Sequence, residues 1–371
     1  MTNPLRALHD HGQSVWLDFI KKSLYRSGEL ARLVDEDGLR GMTSNPAIFE
    51  KAIGGSSEYA PEIAEARARG ESDAKAVYER IAVADIQAAA DALRGVWDSS
   101  VGRDGFVSLE VSPLLARDTA GTLEEARRLW AWVDRPNVMI KVPATTEGLP
   151  AIAELIADGI SVNVTLLFSV DRYEAVVGAW LSGLEARAQR GLDLSRVASV
   201  ASFFISRIDS LVDRRLEAEV IPTHGAAREL LGQAAIANAK RAYQSYLALL
   251  RWTRWHALLQ KGAQPQRLLW ASTSTKNPAY RDVAYVEELI GCDTVNTMPP
   301  ETLAAFRDHG RLAPRVTAEL DRANDILFRL EVHGLAMRAV TDQLLDEGVT
   351  LFEQAFVKLL STVESRLRSD G

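Results

Sequence analysis

Cysteine is almost absent from this chain: Cys292 is the only one in 371 residues, so no intrachain disulfide can form, and a reducing, cytoplasmic setting is the simplest expectation. The opening residues, Met1 to Asp10, hold no continuous apolar stretch that could serve as a signal peptide. No window approaches the roughly 20 uninterrupted apolar residues of a membrane-spanning helix. Histidine is scarce too. The six, His9, His11, His224, His256, His309 and His333, show no H-x-x-x-H spacing, and a single cysteine leaves no C-x-x-C, so no zinc site is expected. Lysine is the rarer cation, nine against 34 arginines, which makes a lysine inside an apolar segment conspicuous. With 43 cations against 50 anions the net charge is −7, a poor match for nucleic acid or an anionic membrane. What remains, 47% hydrophobic and 25% charged, is the composition of a globular protein with a large core.

Short apolar runs recur along the chain, most of them followed by a pattern of helical period. The runs Ser14–Ile20, Leu39–Thr43, Val107–Val111, Val138–Pro143, Ser161–Phe168, Val197–Ile205, Leu268–Ser272 and Thr294–Met298 are the expected strands. Ala74–Trp97, Ala235–Leu250 and Asp346–Arg368 have helical spacing, as does Thr122–Val133 with Thr122 as the expected N-cap and Glu125 three residues on. Val138-Met139-Ile140 is continuously apolar, as a strand buried on both faces should be. Eight strand–helix units predict an α/β protein, a closed (β/α)8 TIM barrel with additional helices. An open doubly wound sheet would want a glycine-rich turn after its first strand, and Leu17-Asp18-Phe19 runs into Lys21-Lys22 without one. No linker divides the chain, so one domain over 1–371 is expected, with helical insertions around 50–72 and 217–265 and C-terminal helices over 318–368. The last of these can pack on the barrel or face a second copy, which leaves monomer and homodimer both open.

In such a barrel the side chains at the C-terminal strand ends meet at one mouth. The polar residues there are Asp18, the Thr43-Ser44-Asn45-Pro46 turn, Glu110, Lys141, Asn163 with Thr165, Ser202 with Arg207, and Ser272 with Lys276. Lys141, between Ile140 and Val142, is the lysine in an apolar segment. Desolvation favours a neutral amine, the form that condenses with a ketone to a Schiff base, although a structural pair with Glu110 would also account for it. Asp18 and Glu110 are candidates to move protons or to balance that charge. Asn45 and Asn163 can bind hydroxyls, and Arg207, Ser272 and Lys276 suit a phosphate. Trp252, Arg254, Trp255 and His256 read as amphipathic packing, and Gly54-Gly55-Ser56-Ser57 as a turn without a P-loop lysine.

Together the segments Thr43-Ser44-Asn45-Pro46, Val138–Thr145, Asn163-Val164-Thr165-Leu166-Leu167-Phe168 and Ala271-Ser272-Thr273 resemble the transaldolase family in its longer bacterial form. That resemblance implies a Schiff base on Lys141, Asp18 as acid/base, and Glu110 and Thr165 holding a water. It implies Asn45, Asn163 and Ser202 around a dihydroxyacetone unit, with Arg207 and Ser272 on phosphate. Shorter relatives carry an arginine two residues after that serine. Here the position is Ser274, and Lys276 is the candidate substitute. The implied substrates are phosphorylated sugars, and no metal or organic cofactor is implied. The implied reaction moves dihydroxyacetone from sedoheptulose 7-phosphate to glyceraldehyde 3-phosphate. The alternatives are a fructose 6-phosphate aldolase, whose known forms lack such extra helices, and a silent sugar-phosphate-binding barrel.

Overall fold

The computed structural model describes residues 3–368, so residues 1, 2 and 369–371 of the expected domain lie outside it. Eight parallel strands close in sequence order: β1 (Gln13–Asp18), β2 (Leu39–Thr43), β3 (Phe106–Glu110), β4 (Val138–Pro143), β5 (Val162–Leu167), β6 (Ser199–Phe204), β7 (Arg267–Ala271) and β8 (Thr294–Met298). This is the (β/α)8 barrel that the alternation of runs predicts. Three strands have the expected limits and five are displaced by one or two residues at one or both ends. One of these shifts has a backbone cause, and a second left-handed residue disturbs the ladder within a strand. Ser272 turns into the left-handed region at φ 57°, which ends β7 before it, and Leu166 at φ 60° breaks the β5–β6 register between Val164 and Leu167.

Side chains alternate in and out of the wall, and the inward set is polar at both ends. At the N-terminal pole the buried Arg267 and Asp104 pair at 2.9 Å and share Ser14. Above them Trp16 fills the barrel axis, and a Cβ on the paired residue Gly41 would lie 2.5 Å from its ring, so only glycine fits at that point of β2.

The helices correct the expected boundaries in several places. The helix before β4 spans Thr119–Val133, and Asp118 caps it by accepting from Gly121 N at 3.0 Å. Thr122 lies inside it and donates to Leu115 O instead, while Glu125 accepts from Ser112 N rather than closing a capping box. Ala74–Trp97 is two helices, Ala74–Ala92 and Arg94–Ser99. The insertion near 50–72 continues the helix Pro46–Gly54 and adds Ala60–Ala68, and that after 217 centres on Ala234–Leu249. Just beyond it Trp255 is buried with its ring 5.2 Å from that of Trp180 and Arg254 binds Glu185, as packing requires, while Trp252 and His256 are exposed. The final helix starts at Met337, earlier than the expected Asp346, and runs to Arg368. It lies across the barrel mouth and is fastened by Arg366, which donates to the carbonyls of Gly54 and Ser56 at 3.0 Å each. No helix among the described residues is long and apolar enough to cross a membrane.

Candidate active site

The C-terminal end of the barrel opens into a cavity of about 450 Å³. Its wall includes Asp18, Asn45, Lys141, Thr165, Ser202, Arg207, Ser272 and Lys276, eight of the ten candidates named from the sequence. Glu110 and Asn163 are not in that wall. Both are buried directly beside it, each paired in register with Lys141, Glu110 from β3 and Asn163 from β5.

Lys141 is 4% exposed, and its ammonium donates to the carbonyl of Ser44 at 2.9 Å. Its distance to Glu110 Oε2 is 3.5 Å, an ion pair longer than a hydrogen bond, and that oxygen has no hydrogen-bond partner. Burial pushes the Glu110 carboxyl up to about 7 against the opposing pull of the Lys141 charge. Asp18 is raised as well. Burial is again the main cause, resisted by Lys141 and by the hydroxyl of Thr43, which donates to Oδ1 at 2.7 Å. The site therefore holds two carboxyls that resist ionisation and one amine whose charge acts on both.

Asn163 is clamped, donating to Ser108 Oγ at 3.0 Å and accepting from Ser202 Oγ at 2.6 Å. Asn45 caps the helix Pro46–Gly54 by accepting from Ile48 N at 3.0 Å, so the Asn-Pro turn has a structural duty. That bond uses only Oδ1, and the amide donors of Asn45 remain for a ligand. Thr165 Oγ1 is buried without a partner. A donor and acceptor held unmet at an inner wall is unusual in a folded core and suits a bound water or substrate.

At the other end, Arg207 has no carboxylate partner among the described residues. Its guanidinium stacks against Phe204 and Phe352, 5.3 and 5.8 Å from the ring centroids, and Nη1 is buried without a hydrogen bond. Burial lowers its proton affinity, with Glu347 as the only charge that opposes this. An unpaired cation at the cavity edge is complementary to an anion. Ser272 Oγ is 2.9 Å from Ser206 Oγ, and Lys276 donates to Ser274 Oγ at 2.7 Å, so the serine that stands in for an arginine is held by the neighbouring lysine.

Sequence reasoning missed Lys51, Thr297, Glu301 and Phe352, all in the cavity wall. Thr297 and Glu301 follow from the strand-end rule applied to the eighth strand, where it had not been used. Lys51 shares a helix face with Ala47 and Ile48, and its signal was the scarcity of lysine. Phe352 carries no local signal, because only tertiary packing brings the final helix to the mouth. Among the described residues no group of three or more His, Cys, Asp or Glu side chains is placed to hold a metal ion.

The family model described as transaldolase/fructose-6-phosphate aldolase matches residues 15–363. The chain is 48% identical to a transaldolase of Frankia alni over 100% of this chain and 99% of that protein. It is 49% identical to a transaldolase of Thermobifida fusca over 99% of both chains. A transaldolase of Trichodesmium erythraeum is 45% identical over 99% of this chain and 98% of its own. The chain belongs to the transaldolase/fructose-6-phosphate aldolase family and is an enzyme of its transaldolase group.

Proposed function

We propose that this enzyme moves a three-carbon dihydroxyacetone unit from a phosphorylated ketose, sedoheptulose 7-phosphate, to glyceraldehyde 3-phosphate through a Schiff base on Lys141. The observation that carries the reading is one cavity with the buried amine of Lys141 and the carboxyl of Asp18 in its wall and the unpaired guanidinium of Arg207 at its edge. The Lys141 ammonium gives up a proton, the freed amine adds to the C2 carbonyl, and loss of water gives the iminium. Asp18 then takes the proton of the C4 hydroxyl as the C3–C4 bond breaks. The bond electrons move into the iminium, and erythrose 4-phosphate leaves. The resulting enamine adds to the acceptor aldehyde, whose oxygen recovers the proton from Asp18, and hydrolysis frees fructose 6-phosphate. The lysine is itself the electron sink.

Glu110 and Thr165, each with an unmet buried oxygen beside Lys141, suit the water lost in condensation and regained in hydrolysis. Asn45, Asn163 and Ser202 suit the hydroxyls of the three-carbon unit. Arg207 and Ser272, with Lys276, suit the phosphate.

Borohydride reduction in the presence of fructose 6-phosphate is expected to add the ketose mass to the peptide containing Lys141, and label on any other lysine refutes the assignment. Rapid, sustained release of free dihydroxyacetone from fructose 6-phosphate without an acceptor would make the enzyme an aldolase instead.

A further inference from the structure

The two oxygens of Asp18 are not equivalent. Oδ1 accepts from the Thr43 hydroxyl at 2.7 Å, and that same Thr43 oxygen lies 2.7 Å from Thr297 Oγ1 across the β8–β1–β2 wall. A hydroxyl has one proton to give. With the Thr43 proton directed at Asp18, the contact to Thr297 is closed by the Thr297 proton, so donation runs from Thr297 to Thr43 to Asp18. The reverse order needs a proton on Oδ1. It also leaves the Thr297 hydrogen without an acceptor among the described residues, on a side chain that is 3% exposed. When Asp18 is ionised it has no proton to give, and the forward order then satisfies every hydroxyl hydrogen within the protein, so it is the stable one in that state.

We propose that Thr297 is a positioning residue: acting through Thr43, it holds Oδ1 of Asp18 as an acceptor and confines the transferable proton to Oδ2. This rests on the reading of Asp18 as the acid/base. Oδ2 receives the proton of the donor's C4 hydroxyl when the C3–C4 electron pair enters the iminium. The same oxygen returns that proton to the acceptor's carbonyl oxygen when the enamine carbon adds, so no outside acid is consumed. If the proton settled on Oδ1 it would point into the wall, and the return step would wait for the carboxyl to turn.

The relay also acts on the ionisation of Asp18. Its hydrogen bond favours the carboxylate and opposes the burial that raises this group. The other charged groups that act on Asp18 are Lys141 from β4, Glu110 from β3, Lys276 from the loop after β7 and Glu301 from the helix after β8, and Thr297→Val alters the charge of none of them.

The test is Thr297→Val, which keeps the shape of the side chain and removes the hydroxyl, with Thr297→Ser as the rescue. Borohydride trapping on Lys141 is read in each to establish that the site is assembled. Thr297→Val is expected to trap normally and to lose about tenfold in kcat, at the low end of what a misplaced acid/base costs, with KM unchanged. Because Asp18 must be ionised to accept the C4 proton, its acid limb should move up by about half a pH unit. Thr297→Ser should restore both. A Thr297→Val enzyme with the wild-type kcat and acid limb overturns the proposal. So does a Thr297→Ser enzyme as impaired as the valine variant, since packing alone would then explain the loss. Thr297→Ala is run beside them, and if it traps but keeps the wild-type profile the proposal also falls. Absence of trapping on Lys141 in the wild type would be a failure of the functional reading itself.

Discussion

Arg207 is the residue whose surroundings say most about what the cavity receives. A guanidinium between two aromatic rings with a buried, unmet N–H keeps its charge at the expense of solvation, and a phosphate restores what is missing. Replacing it by alanine should raise KM for phosphorylated substrates roughly a hundredfold, the equivalent of about 2–3 kcal/mol for a charge-assisted contact, with a much smaller effect on kcat. Lys276 is exposed and, among the described residues, donates to Ser274 alone, so Lys276→Ala should cost roughly five- to tenfold in the same constant. Steady-state kinetics with phosphorylated and unphosphorylated donors checks both, and an unchanged KM in either variant removes that residue from the phosphate site.

Among the elements, the final helix decides the shape of the site. Gly348 faces the mouth, where an added Cβ would lie 3.0 Å from Leu166 Cδ2 and 3.7 Å from Arg207 Nη1. Leu166 is already in the left-handed region and has little room to yield. Gly348→Ala gains about 1 kcal/mol of helix propensity and loses about 1–3 kcal/mol by overpacking, so a net destabilisation near 1 kcal/mol is expected in a denaturant titration. KM for phosphorylated substrates should change little, because the new methyl would stand at ordinary contact distance from Arg207.

A second elementary join is pH-dependent. Asp209, on the helix Ser206–Arg215, is fully buried, accepts from Ala235 N at 2.7 Å and Tyr285 at 2.8 Å, and is pushed by burial up to about 7. A carboxyl raised in the folded state binds its proton more tightly there than in the unfolded chain. Its favourable contribution is complete below about pH 4 and is lost as pH rises through about 7. Asp209→Asn should therefore flatten part of the decline in thermal midpoint between pH 5 and pH 8, and a variant with the wild-type slope would refute this. Glu110, Asp18, Asp85 and Asp213, raised for the same reason, act in the same direction.

Over the whole molecule, the alternation of apolar runs and helical patterns was enough to read the barrel, because each buried strand must be apolar whatever it carries at its end. The mouth was legible in the same way: Lys141 breaks an apolar run, and Asp18 and Glu110 end theirs. What stayed hidden arrives from far along the chain. Phe352 is an ordinary core residue of an amphipathic helix until that helix is laid over β5 and β6. Thr297 looks like a strand-forming threonine until β8 closes against β1. The cap at Asp118 was missed because Thr122 fits a capping pattern that its bond to Leu115 overrides.

The net charge of −7 also has a consequence at this scale. An acidic surface repels sugar phosphates, while Arg207, Lys276 and Lys51 in the cavity wall are cations that would attract them under the proposed function. Screening weakens both fields, but the cations act at shorter range inside a low-dielectric cavity. Salt therefore screens the surface repulsion more than the attraction, and raising the ionic strength from about 0.05 to 0.5 M should raise kcat/KM for phosphorylated donors by up to about twofold while leaving trapping by free dihydroxyacetone unchanged. Equal salt sensitivity of the two would argue against a phosphate-specific effect.

The fastening of the final helix by Arg366 to the Gly54–Ser56 turn joins one of the last described residues to a segment made early in synthesis. Phe352 reaches the mouth only as part of that helix. A growing polypeptide can close its barrel once β8 has emerged from the ribosome, yet it cannot wall off the cavity while its tail is still in the exit tunnel. The cavity is thus walled off only after the final helix has been made and has docked, and a product cut short before Phe352 would present an open barrel with Arg207 uncovered.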